Sequence, residues 1–122
     1  MSQLRCIFAL LIMMIFLPSH PVYAHAHLDH AVPAVGSTAK PAPTEVVIFF
    51  SEALEPKFSS IEVRDAQGVA VQAGKATLTP GNTARLWVAL KPLAPGTYKV
   101  IWRVLSVDTH RSQGDFTFTV SP

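Results

Sequence analysis

The stretch TYKVIWRVL, residues 97–105, decides the class of fold. In an extended chain successive side chains point to opposite sides, so Tyr98, Val100, Trp102 and Val104 share one face. Lys99 and Arg103 share the other with Ile101 and Leu105. One wholly apolar face and one mixed face predict a central strand whose second side is only partly wet. Downstream, Asp115-Phe-Thr-Phe-Thr-Val120 alternates more cleanly, with Phe116, Phe118 and Val120 set against Asp115, Thr117 and Thr119. This is the pattern of a strand buried on one face.

Upstream, the runs EVVIFF (45–50), SIEVR (60–64) and ARLWVAL (84–90) have the same character. They are separated by turn-forming residues at Asp65-Ala-Gln-Gly68, Pro80-Gly-Asn82 and Pro92-Leu-Ala-Pro-Gly96. Short β-rich runs at this rhythm predict an all-β sandwich or barrel. Pro33, Gly36, Pro41 and Pro43 confine the segment around them to a short edge strand followed by an irregular crossing, because proline is excluded from central ladders. Residues 51–58 have room for one helical turn. Trp87, Trp102, Phe116 and Phe118, at strand spacing, are read as core.

The first 24 residues are of another kind. Arg5 is their only formal charge, an apolar run from Cys6 to Leu17 follows, and Pro18 to Pro21 form a polar break. Val22-Tyr-Ala24 then places small residues at the third and first positions before a bond, the pattern of signal-peptide cleavage. The apolar run is too short to span a bilayer comfortably. The expectation is a cleaved signal peptide at residues 1–24 and a single exported domain at 25–122, without a membrane anchor once cleaved.

Cleavage removes Met1, Met13, Met14 and Cys6, which are all the sulfur of the chain. Disulfides, thiolate zinc sites, a cysteine nucleophile and thioether ligands are thereby excluded together. Removing Arg5 from the ten Lys and Arg residues leaves nine, against eight acidic residues. Charge this balanced, spread along the chain, gives no nucleic-acid surface and no polybasic membrane patch.

Cleavage also creates chemistry. Three of the five histidines, His25, His27 and His30, fall within six positions of the new terminus. A terminal histidine can grip a metal through its free α-amine and its own Nδ1. With an amine pKa of about 7.7 to 8.0, the metal displaces only a partly held proton. Two nitrogens from one residue favour copper or nickel among divalent ions. His25-Ala-His27 also offers a second mode, in which the amine, two backbone amides and the third-place imidazole bind Cu(II) without help from the rest of the chain. The two modes compete for one amine. Further donors stand at Ser106-Val-Asp-Thr-His110, just after the central strand. If that segment is extended, Asp108 and His110 point the same way, and with His25 they make a three-nitrogen, one-oxygen set suited to Cu(II).

With these residues in view, the chain resembles the CopC-type periplasmic copper-binding proteins of bacterial copper resistance. The likeness runs through His25-Ala-His-Leu28, Pro33-Ala34, Gly36, Phe50-Ser-Glu52, Leu93-Ala-Pro-Gly-Thr-Tyr98 and Trp102-Arg103. It ends in Ser106-Val-Asp-Thr-His110 and Gly114-Asp-Phe-Thr-Phe118. The resemblance implies a small Greek-key β-sandwich or barrel of about seven strands, cupredoxin-like or immunoglobulin-like. It implies one Cu(II) per chain held by His25, Asp108 and His110, with Glu52 beside the site rather than on the metal. His27 is a candidate ligand, on the same face as His25 by alternation, and His30 is read as a structural histidine on the inner side of the edge strand. The expected partner besides copper is an inner-membrane transporter of the CopD kind. Family members with a Met-rich loop bind Cu(I) as well, and the loss of every Met on processing removes that site here. An oxidative copper enzyme with an N-terminal histidine brace, similar to lytic polysaccharide monooxygenases, is the competing reading. It fits a 98-residue domain poorly, since such enzymes need an open position for oxygen and a broad substrate face.

Overall fold

In the computed structural model, residues 26–122 are described, and they fold as two facing four-stranded sheets. The strands are β1 (Leu28–Val32), β2 (Thr38–Ala39), β3 (Glu45–Phe50), β4 (Ser60–Arg64), β5 (Thr77–Thr79), β6 (Asn82–Ala89), β7 (Gly96–Leu105) and β8 (Arg111–Val120). One sheet has the order β1-β3-β6-β5 and the other β2-β8-β7-β4. All pairs are antiparallel except β2 with β8. Among the described residues a single 3-10 turn, Pro56–Phe58, leads into β4. Only β5–β6 and β7–β8 are hairpins within a sheet. The other connections cross between sheets, so the core is closed by segments far apart in sequence.

The alternation in residues 97–105 is realised as expected: Tyr98, Val100, Trp102 and Val104 are buried, and β7 lies between β8 and β4. Phe116, Phe118 and Val120 from β8 join them, facing Val46, Ile48 and Phe50 of β3 and Leu86 and Val88 of β6. Phe50 meets Trp102 edge to face at 5.3 Å, and Tyr98 stacks on Phe118 at 5.5 Å, two arrangements that aromatic quadrupoles favour. Among the described residues eight strands form rather than about seven. The added ones, Thr38–Ala39 and Thr77–Thr79, are too short and too polar to show a period of their own.

Two expectations are corrected. Trp87 is not core: the pairs Val46 with Val88 and Ile48 with Leu86 fix which side of β6 faces inward. Trp87 therefore sits half-buried on the outer side, opposite Val47 and Thr77. His30 is not on the inner side of its strand. A β-bulge sets Leu28 against Phe50 and His30 against Phe49, so one extra residue, Asp29, breaks the alternation. His30 consequently points outward, exposed, and stacks on Phe49 at 4.1 Å, while Ala31 takes the buried position.

Gly114 lies opposite Trp102, and a Cβ placed there would stand 2.5 Å from Cζ2 of that buried ring. Glycine inside a strand normally weakens it; here the missing side chain is the space that the indole fills. Gly114→Ala is expected to lower the unfolding free energy by about 1–3 kcal/mol through overpacking. Urea titration would show this as a lower midpoint with an unchanged slope.

Candidate metal centre

The β7–β8 hairpin closes over Ser106–His110. Ser106 N–H donates to the His110 carbonyl at 3.0 Å, and Thr109 N–H donates to the Ser106 carbonyl at 2.9 Å. Thr109 takes a left-handed backbone with φ 72°. A three-residue hairpin loop ending in a left-handed residue has this pattern. The segment is thus a turn and not extended chain, which corrects the reason given for the meeting of Asp108 and His110. They do meet, with Asp108 Oδ1 3.3 Å from His110 Nδ1, because the turn folds one back toward the other.

Ser106 organises the loop from inside. It is fully buried, and its hydroxyl contacts Asp108 Oδ1 and the His110 carbonyl. That hydroxyl bond holds the Asp108 carboxyl below the ordinary aspartate value of 3.8. Partial desolvation opposes it, and His110 adds a smaller effect in the same downward direction. Asp108 Oδ1 is engaged by the Ser106 hydroxyl and lies 3.3 Å from His110 Nδ1, so the carboxylate and the imidazole stand side by side.

Two other segments reach the same end of the sandwich. Val107 N–H donates to the Ala53 carbonyl at 3.0 Å, and Ser106 bridges Leu54, which fastens residues 53 and 54 to the hairpin. His27 N–H donates to Ser51 Oγ at 2.8 Å, and Ser51 N–H returns a bond to the His27 carbonyl at 2.9 Å. Ser112 Oγ donates to the Ala26 carbonyl at 2.7 Å, across 86 positions of sequence, and Ala26 itself is fully buried. The start of the described chain is therefore pinned between Ser51 and Ser112, two residues beyond His110. Glu52, half-buried, lies between the residue that binds His27 and the residue that binds Val107.

Of the expected site residues, the structure brings Asp108 and His110 into contact and sets Glu52 and the exposed His27 at their end of the molecule. His25 lies outside the described residues. Among the described residues no three His, Cys, Asp or Glu side chains form a group able to hold a metal. The role of the serines was not read from the sequence. Ser51 and Ser106 do lie inside the motifs Phe50-Ser-Glu52 and Ser106-Val-Asp-Thr-His110, so their signal was adjacency to the candidate ligands.

Comparison with known proteins gives this architecture a family. The model of the CopC domain matches residues 28–121, and the chain belongs to the CopC family. That family is one of copper-binding resistance proteins and not of enzymes. The chain is 36% identical over 114 residues to protein YobA of Escherichia coli K12, covering 93% of this chain and 92% of that one. It is 31% identical over 121 residues to the copper transport protein CutJ of Bacillus subtilis, covering 98% of this chain but 22% of that protein. Among solved structures, CopC from Methylosinus trichosporium OB3b superposes with a TM-score of 0.76 at 34% identity, over 80% of this chain and 95% of that one. PcoC, described as a methionine-rich copper resistance protein from Escherichia coli, superposes with a TM-score of 0.71 at 34% identity, over 80% of this chain and all of that one.

The depressed Asp108 carboxyl carries a prediction for the metal-free protein. A carboxyl whose folded pKa is lowered contributes stability that is present above its unfolded value and is lost as pH falls through the folded one. The loss due to Asp108 is thus expected below pH 3.8, and Ser106→Ala should move the titration upward toward that value. Carboxyl carbon shifts followed by NMR against pH would measure it.

Proposed function

We propose that this protein is a periplasmic copper carrier that holds one Cu(II) at a terminus created by cleavage after Ala24. The α-amine and Nδ1 of His25, the Asp108 carboxylate and the His110 imidazole are its donors. The observation that carries this reading is the bond from Ser112 to Ala26. That bond anchors Ala26 to β8 two residues beyond His110, and in this reading the preceding residue is the donor that completes the set. Amine, imidazole and carboxylate together form a tetragonal nitrogen and oxygen set that Cu(II) prefers. His27, tied through its backbone to Ser51, has an exposed side chain and stands as an alternative donor, and Glu52 sits beside the metal.

The chain has no Met beyond residue 14, in contrast to the methionine-rich PcoC, so no thioether site for Cu(I) belongs to this proposal. Its oxidation-state chemistry is the retention of Cu(II). In CutJ a domain similar to this chain makes up about a fifth of a protein named for copper transport. That juxtaposition supports delivery of the ion to an inner-membrane copper transporter.

Titration of the processed protein with Cu(II) against a competing chelator is expected to give one tight site per chain. His110→Ala and Asp108→Ala should each weaken it by more than about 100-fold. Ser112→Ala, which frees the arm without removing a donor, should cost about 10–100-fold, the scale of lost support behind a ligand. A form with one extra residue before His25 has an amide in place of the amine. If that form binds as tightly as the processed one, the terminal-amine site is wrong. If His27→Ala abolishes binding while Asp108→Ala and His110→Ala do not, the self-contained tripeptide chelate replaces it.

A further inference from the structure

The cations of this chain are scattered in sequence, but the fold gathers three of them at one place. On the outward side of the second sheet Arg103 pairs across with Gln113 and Leu105 with Arg111. The two arginines are therefore diagonal neighbours on one face, within reach of a common ligand. Phe58, at the end of the 3-10 turn, is 60% exposed. With Arg103, Arg111 and Ser112 it lines a shallow concavity of about 190 Å³. Lys57 and Arg103 line an adjoining groove of about 490 Å³. None of Lys57, Arg103 and Arg111 has a carboxylate within 4.0 Å among the described residues. Two acids share this face: Glu62 lines the same groove as Lys57 and Arg103, and Asp115 is diagonal to Arg103 on the side away from Arg111. Glu62 is already held by Arg64.

We propose that this face, centred on Arg103, Arg111 and Phe58, docks an acidic polypeptide segment of a partner protein. Exposed arginine around an aromatic anchor is the composition in which interface energy concentrates. With Glu62 held by Arg64, the three cations outweigh Asp115, and a net positive face attracts an acidic partner and orients its approach. A second copy of this chain would bring the same cations together, and a flat bilayer would leave both concavities unfilled. The position gives the face its use: Arg111 follows His110, and Ser112 both lines the concavity and anchors Ala26. Resting on the copper reading above, the docked segment belongs to the protein that exchanges copper with this one.

The test uses two synthetic peptides with the same copper-chelating head, one with a tail of four Glu and a Leu and the other with Gln in place of each Glu. Metal-free peptide is first titrated into metal-free protein, followed by amide shifts. Saturable shifts at Phe58, Arg103 and Arg111 are expected with the Glu tail only, and they should vanish in the Lys57→Glu, Arg103→Glu double variant. With copper loaded, transfer to the Glu-tailed peptide should be about 10-fold faster at low salt. That advantage should disappear in the double variant while its Cu(II) affinity is unchanged. Equal shifts with both tails, a preference that survives the double variant, or binding to phosphatidylglycerol vesicles in place of the peptide would overturn the proposal. If copper does not bind but the Glu-specific shifts persist, the docking face stands and the copper reading falls.

Discussion

The buried hydroxyl of Ser106 is the contact on which the candidate site depends. It stands at the point where the ten-residue ladder between β7 and β8 gives way to a three-residue loop. A polar group buried there must find partners, because an unsatisfied hydroxyl costs on the order of 1–3 kcal/mol. The partners it finds are the Asp108 carboxylate and the His110 carbonyl. One requirement thus closes the hairpin, lowers the Asp108 pKa and sets the two side chains together.

Around that loop the same device recurs. Ser51 and Ser112 each take a backbone group of the N-terminal segment, and Ala53 takes the Val107 N–H. None of these bonds is strong alone, at about 0.5–1.5 kcal/mol each. Together they set three segments from distant parts of the chain at one end of a rigid sandwich. A metal site needs that rigidity, since donors on loops lose affinity when the surrounding residues leave them free to move. The outward face beside the hairpin inherits the same order: Arg103 and Arg111 are neighbours only because the ladder pairs them diagonally.

Much of the fold was legible because the hydrophobic period was. The runs at 45–50 and 60–64 became β3 and β4 with unchanged bounds, and the face of β7 was read correctly from alternation alone. The reading failed where alternation is interrupted or undecided. At His30 an added residue in a bulge reversed the faces, and at Trp87 both phases of the strand carried large apolar residues, so only pairing with β3 could choose between them. Asp108 and His110 were recognised as a pair by residue type, while the geometry that joins them belongs to a turn with Thr109 in a left-handed conformation.

By itself the sequence determined the all-β class, the central strand and the residue types suited to copper, because these follow from periodicity and from the donor chemistry of His and Asp. Its balanced, dispersed charge also gave no basic patch. Tertiary structure alone decided that Lys57, Arg103 and Arg111 share a face and that Ala26 is held beside Ser112. It decided as well that the Asp108 carboxylate meets both Ser106 and His110. The physical reason is common to all three: each is fixed by strand register and loop closure, which join residues by hydrogen bonds across sequence separations that no local pattern records.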